Sequence, residues 1–419
     1  MPSVDASSRT PGVKAADAFA VLCAAGRDVV GTAGPEAFRA VASEDHDWHD
    51  VLALARAHRM VALVGMRLDQ LPPGTLPPDA VEAWRAARVE CATDSLAAAG
   101  ELARVVTLLR AAGVAAIAYK GPALSVAVYA DAGVRPCADL DLVVPPREYG
   151  AARAALRGEG LASRHGFSRL QEAVVMYGQG HAEFAQPGRD APFVELHWRF
   201  AAQRLPWSPP VHDVRARAVR VGVGGVEVLA PPPDDQVLLL ALHGTRHAWE
   251  EFEWLVGFGV MLQRGAIDAR MVLRRARAVG GVRALLVGVE LARRVLGVTV
   301  SEAFVAHDID HAGVDALVGT VMRRWEERAA ALAVAARSAG RGEERANERT
   351  DERADELAFE DACIERLGDR MRWLLARALL PTLREWEAVQ LPTLLTPLYV
   401  PFRVARLAWR GARGSGDDA

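Results

Sequence analysis

The chain has 419 residues and a formal net charge of −3, with 51% apolar and 25% charged side chains. That is enough for two or three soluble domains, and the near-neutral balance excludes a global basic field, so no sequence-specific nucleic-acid partner is expected. Cys23, Cys91, Cys137 and Cys363 are scattered without a CxxC pair, Met1 to Lys14 is polar, and no apolar run reaches bilayer-spanning length; this argues against a disulfide framework, a zinc ribbon, a signal peptide and a transmembrane segment, and a cytoplasmic protein is expected.

In chain order, residues from about Ala15 to Arg110 read as helix, interrupted at Pro72-Pro73-Gly74 and Pro77-Pro78. Asp45-His46-Asp47-Trp48-His49-Asp50 resembles a metal-binding stretch in composition, but capping and the macrodipole explain acids at a helix start. A long helix is expected over roughly Ala80 to Ala112, ended by Gly113. The texture then changes. Val114 to Tyr119 suits a buried strand, Pro122 to Tyr129 a short helix, and Leu140 to Val144 a second strand closed by Pro145-Pro146. Tyr149 to Glu159 reads as helix, and His181 to Ala185 and Phe193 to Trp198 as further strands. Val219 to Val223 and Val226 to Leu229 flank Gly224-Gly225, a two-residue hairpin signal. From Asp234, a candidate N-cap, the pattern is helical again. The segment from Arg337 to Glu356 is dense in Arg and Glu and reads as a solvated helix or linker.

The order predicts an α+β protein with a small mixed-sheet core flanked by helical regions. The expected divisions are residues 1–95, 96–232 and 233–419.

The stretch Asp139-Leu140-Asp141-Leu142 carries the chemistry. On a strand it points both carboxylates to one face and both leucines to the other. Two charges about 4 Å apart repel by roughly 4 kcal/mol at an effective dielectric near 20, which a cation between them relieves. Ahead of the pair lies Lys120-Gly121, at a strand-to-helix turn where glycine permits close backbone approach and the helix start favours a phosphate. Only Lys14 and Lys120 are lysine among 50 Lys and Arg residues, so Lys120 stands out in an arginine-biased chain. Arg135 could take a phosphate oxygen bidentately. In Val194-Glu195-Leu196-His197-Trp198, Glu195 and His197 share a strand face, and antiparallel placement beside the acid pair would add a third carboxylate. Three carboxylates can hold two divalent ions, and Glu195 could instead take an acceptor's proton.

These motifs resemble the polymerase-beta-like nucleotidyltransferase superfamily, whose signature is a glycine turn, a D-x-D strand and a third acid on a later strand. More narrowly the chain is similar to a bacterial family of uncharacterised nucleotidyltransferases with an LKG…R…DxDLLV…ELHW pattern. Here that pattern reads Tyr119-Lys120-Gly121, Arg135, Asp139 to Val144, and Glu195 to Trp198. Asp47-Trp48, Ala55 and His58 fit the family's N-terminal segment. Leu239 to His243, His247 and Trp249 to Trp254 fit the segment after the core.

The resemblance implies a Mg²⁺- or Mn²⁺-dependent enzyme. Asp139, Asp141 and Glu195 would be its catalytic metal ligands, and Lys120, Gly121 and Arg135 would bind the nucleotide. It would move a nucleoside monophosphate from a triphosphate to an acceptor hydroxyl on a small molecule, peptide or protein. The alternative is an inactive nucleotidyltransferase-like module that binds nucleotide or a partner. The chain departs from the superfamily in having Gly121-Pro122 at the turn, and from the narrower family in having Gly257 where an Asp is expected.

Other clusters have plainer readings. His243 and His247 are spaced as zinc ligands, but Gly244 stands where a zinc protease has its glutamate, so a structural or substrate-facing pair is expected. His197 is a candidate to orient the acceptor or support Glu195. The aromatic, Arg-rich segment from Leu391 to Arg413 reads as core packing with snorkelled arginines or as a surface-binding stretch.

Overall fold

A computed structural model describes residues 11–164, 169–189, 191–264, 267–305, 311–337 and 355–414. Most of the charged segment from Arg337 to Glu356, residues 338–354, lies outside them. The chain opens with helices α1 (Pro11–Val30), α2 (Pro35–Ala42), α3 (Trp48–Ala57), α4 (Val61–Leu68) and the 34-residue α5 (Pro78–Ala111). Asp47 caps α3, its carboxylate accepting from the backbone N–H groups of His49 (3.0 Å) and Asp50 (3.3 Å). The acid-rich stretch is therefore a helix start.

The middle of the chain builds β1 (Ile117–Ala118), α6 (Gly121–Tyr129), β2 (Asp139–Val143), α7 (Tyr149–Gly158), β3 (Ala162–Ser163), α8 (Arg169–Gln179), β4 (His181–Ala185), β5 (Phe193–His197), α9 (Val211–Ala216), β6 (Val219–Val223) and β7 (Val226–Ala230). The seven strands form one mixed sheet in the order β3-β4-β5-β2-β1-β7-β6. β6 and β7 pair antiparallel through Gly224 (φ +57°) and Gly225 (φ +78°). Positive φ at both turn residues is what a type I′ hairpin requires. Helices α10 (Pro233–Arg246), α11 (Phe252–Arg264), α12 (Ala269–Ala278), α13 (Val282–Leu296), α14 (Glu302–Val305) and α15 (His311–Arg337) follow. The N-cap of α10 is Pro232 rather than Asp234, whose carboxylate accepts from the backbone of Asp268 instead.

The fold is α+β, as the order of elements predicts. In space, the helices before and after the sheet share one core. Leu22 of α1, Leu54 of α3, Trp84 of α5, Phe252 and Phe258 of α11, Leu285 of α13 and Trp325 of α15 belong to a single buried cluster. The expected division at residues 95 and 96 falls inside α5. Trp84 and Cys91 on its first half enter that helical core, whereas Leu102, Val105 and Leu109 on its second half pack on the sheet with Leu140 and Leu142. Burying each such side chain stabilises the fold by roughly 1.5–3 kcal/mol. α5 therefore joins the two layers and fixes the sheet against the bundle. No described helix is long and apolar enough to cross a membrane.

Two adjacent residues at the end of α3 tie it to α11 and to the segment before β2. His58, at the end of α3, is fully buried, and its Nδ1 accepts from the backbone N–H of Phe252 (3.3 Å). Arg59 (φ +55°) reaches Glu251 (2.7 Å) and the carbonyl of Pro136 (2.9 Å), in the loop before β2. Burial, helped by Arg328, lowers the His58 pKa from 6.5 to about 3. The unfolded chain takes up this proton near 6.5 while the folded protein resists it to about 3. The contribution to stability is thus fully present above 6.5 and is lost as pH falls across that window, by about 1.4 kcal/mol per pH unit. Urea unfolding from pH 7.5 to 4 should reveal that slope, and His58→Asn, whose amide oxygen can still accept from Phe252, should flatten it. Equal slopes in both proteins would remove His58 as the cause.

Candidate active site

β2 sits mid-sheet and carries the acid pair. Leu140 and Leu142 are buried on the α5 side, so strand alternation sends Asp139 and Asp141 to the opposite face. β1 pairs antiparallel with β2, and the Tyr119 N–H reaches the Asp141 carbonyl at 3.4 Å, which brings the following Lys120 alongside the acids. The chain then turns through Gly121 (φ +58°) into α6. A side chain larger than glycine is strained at that angle. Pro122 occupies the first turn of α6, where the helix uses no N–H of its own.

The third acid arrives by a different route from the expected one. β5 lies beside β2 in parallel, not antiparallel, and its register sets Glu195 against Asp141. Both registers put residues of like parity on one face, so the acids converge all the same. The connection is long enough for the crossover that parallel strands require, and it passes through β3 and the β4 hairpin strand. One ligand oxygen from each of Asp139, Asp141 and Glu195 lies within 4.8 Å of the others. These hard oxygen donors fit a divalent ion such as Mg²⁺.

Asp141 is almost fully buried, and its Oδ1 accepts from Lys120 Nζ (2.9 Å) and lies 3.1 Å from His197 Nε2. The same Nε2 is 3.0 Å from Glu195 Oε2, so a proton on it is shared between the two carboxylates. Burial alone would raise the Asp141 pKa, but Lys120 and His197 outweigh it and hold this carboxyl well below the usual range. Burial likewise opposes ionisation of Glu195, and His197 overrides it, bringing Glu195 to about 2. Among the described residues no such donor bonds Asp139. Burial, then repulsion from Asp141, raises it to about 6. The matching effect on His197 is upward, since Asp141 and Glu195 outweigh burial of the ring.

Arg135 is buried. Its Nε donates to Glu253 Oε2 (2.8 Å), while Tyr129 OH donates to Glu253 Oε1 (2.9 Å). Gly257, where an acid is expected, faces this network: a Cβ there would lie 3.3 Å from Tyr129 OH and 3.6 Å from Glu253 Oε1. The acid of this helix thus stands one turn earlier, at Glu253.

His243 and His247 are half-buried, and their rings meet Trp254 edge-on and tilted, at centroid distances of 4.7 and 5.7 Å. His247 also faces Glu356 at 3.6 Å. Among the described residues neither joins a group able to hold a metal. Gly244 is required by packing, because a Cβ would meet the Trp249 indole at 2.6 Å.

Three residues at or behind the site escaped the sequence reading: His181, Arg246 and Glu253. His181 lies opposite His197 on the neighbouring strand β4. Arg246 lines a cavity of about 20 Å³ together with Tyr119, Phe200, Leu239, Leu242 and His243. Leu239, Leu242, His243 and Arg246 follow i, i+3, i+4, i+7 spacing, so the periodicity of α10 could have placed Arg246 on the site-facing stripe. Among the described residues no carboxylate lies within 4.0 Å of its guanidinium, while its charge bears on Tyr119, His181 and His243.

A mixed sheet carrying a D-x-D strand, a glycine turn before it and a third acid on the adjacent parallel strand defines a nucleotidyltransferase-like protein. A profile of the family described as uncharacterised nucleotidyltransferase matches residues 44–297. The chain belongs to that family, and the match spans the N-terminal helices from α3, the whole sheet, and the helices to α13. No curated protein and no solved structure matches the chain.

Proposed function

We propose that the protein is a Mg²⁺-dependent enzyme that moves a nucleoside monophosphate from a triphosphate to an acceptor hydroxyl, on a small molecule, a peptide or a protein. The observation that carries this reading is the convergence of Asp139, Asp141 and Glu195 within 4.8 Å. These three would hold the divalent ions, with Mn²⁺ an acceptable substitute for Mg²⁺. Bound there, such ions supply charge neutralisation for the phosphates and lower the pKa of the attacking hydroxyl.

The chain's own residues divide the remaining work. Asp141 is ionised at any physiological pH because Lys120 and His197 hold it so. Glu195, brought to about 2, suits ligation better than proton abstraction, since a base that weak has little driving force at neutral pH. Lys120 sits between Asp141 and the turn at Gly121, where it can serve a phosphate as a point charge. Arg246 adds a guanidinium to the small cavity that it lines with Tyr119 and His243. Arg135 acts indirectly, by fixing the loop that leads into β2 through its bond to Glu253.

A second reading, a nucleotide- or partner-binding module without turnover, draws on two observations. Both cations expected to meet phosphate, Lys120 and Arg135, already face carboxylates. Pro122 also removes a backbone donor at the start of α6.

Incubation with α-labelled and γ-labelled triphosphates, Mg²⁺ and a cell extract separates the readings. Nucleotidyl transfer places the α-label on an acceptor and releases pyrophosphate. Binding of Mg²⁺-nucleotide in calorimetry without label transfer from any of the four nucleotides would favour the module. Transfer of γ-label alone would replace both with phosphoryl transfer.

A further inference from the structure

A second group of metal-binding character lies next to the acid triad, and it is chemically different. β4 and β5 pair antiparallel with His181 directly opposite His197, and the two imidazole rings stand 4.8 Å apart at 34°. Glu195 lies on the same face of β5, two residues before His197. Its carboxylate addresses both rings, with Oε1 3.9 Å from His181 Nε2 and Oε2 3.0 Å from His197 Nε2. Ligand atoms of all three residues lie within 4.8 Å of one another. The three side chains are only 11%, 16% and 4% exposed.

We propose that His181, His197 and Glu195 form a second metal site, selective for a transition-metal dication and sharing Glu195 with the Asp139–Asp141 pair. Two imidazole nitrogens and one carboxylate are borderline donors that suit Mn²⁺, Co²⁺ or Zn²⁺, whereas Mg²⁺ prefers oxygen alone. Metal–ligand bonds of about 2.0–2.2 Å in tetrahedral array set neighbouring ligand atoms about 3.3–3.6 Å apart. The three donors, within 4.8 Å of one another, close to that spacing by small side-chain shifts. A transition ion here takes the place of the proton that His197 Nε2 otherwise shares between Asp141 and Glu195. Three protein ligands would leave a four-coordinate ion one position for water or another ligand. The cross-strand pairing of β4 and β5 fixes the histidines on rigid sheet rather than on a loop, so the donors are set before the ion binds.

The site stands independently of nucleotidyl transfer, and its test needs no substrate. Metal-free protein is titrated with Mn²⁺ and with Co²⁺ in the presence of millimolar Mg²⁺. Pulsed EPR reads ¹⁴N coupling on bound Mn²⁺, and visible absorption reads the Co²⁺ geometry. Wild type should bind one ion that Mg²⁺ does not displace, with ¹⁴N coupling from imidazole. His181→Ala should weaken that ion at least tenfold and reduce the nitrogen coupling, while Asp139→Asn should leave both in place. His181→Gln, which keeps a polar group on β4, covers the case in which the alanine variant does not fold. Bound Mn²⁺ without nitrogen coupling in the wild type, or affinity unchanged in a folded His181 variant, overturns the proposal. Failure of α-label transfer with Mg²⁺ leaves these readouts untouched, so the two readings can fail separately.

Discussion

Asp141→Asn is expected to abolish α-label transfer, by about a thousandfold or more, while leaving the protein folded. Asparagine matches the shape of aspartate and keeps an oxygen for Lys120 Nζ and His197 Nε2, the two donors that Asp141 Oδ1 meets at 2.9 and 3.1 Å. It removes the negative charge that makes the oxygen a ligand. A loss of that size, about 4 kcal/mol in the barrier, is what electrostatic stabilisation by one metal-bound group supplies in a water-poor site. Asp139→Asn should be damaging too, but with a difference. Among the described residues Asp139 makes no charged hydrogen bond of the kind that holds Asp141 in place, so its replacement should leave the Lys120 and His197 contacts intact. Calorimetry with Mg²⁺ and nucleotide, alongside circular dichroism, checks both variants. Transfer reduced less than tenfold in folded Asp141→Asn would remove the acid pair from the chemistry.

The local pattern made the acid pair legible, because a period of two assigns faces without knowledge of the neighbours. The same rule put Glu195 and His197 together. It could not supply the strand direction, since parallel and antiparallel placements of β5 satisfy the alternation equally, and β5 proved parallel. Pairing decides more than direction. His181 is an ordinary strand histidine in sequence and becomes a site residue only because the β4–β5 register sets it against His197. Arg135 shows the same limit. Its spacing from Asp139 suggests a phosphate contact, and no local pattern states that its Nε also bonds an acid 118 residues later, Glu253. Flanking helices were legible as helices, yet nothing in their periodicity states that α1 and α15 would share one core.

The Arg135–Glu253 pair has the largest expected effect on stability. Its members are 6% and 3% exposed, and the bond is 2.8 Å long. Burial alone would lower the Arg135 pKa, but the Glu253 charge more than offsets it, so the guanidinium stays charged in the folded protein. Glu253→Gln removes one charge and leaves the buried guanidinium without the carboxylate it bonds. Breaking a buried pair in this way costs about 3–5 kcal/mol, mostly the penalty of the stranded ion. Urea unfolding at pH 7 should show that loss. Arg135→Met in the same chain should recover part of it, because the double variant buries no lone charge; the two single losses should therefore exceed the loss in the double. The pair also anchors the segment between α6 and β2, where Arg59 holds the carbonyl of Pro136. Glu253→Gln should therefore weaken Mg²⁺-nucleotide binding as well, even though Glu253 belongs to α11 and is no metal ligand. A loss below 1 kcal/mol with nucleotide binding unchanged would mean that the loop before β2 is positioned by Arg59 and the strand itself, without the buried pair.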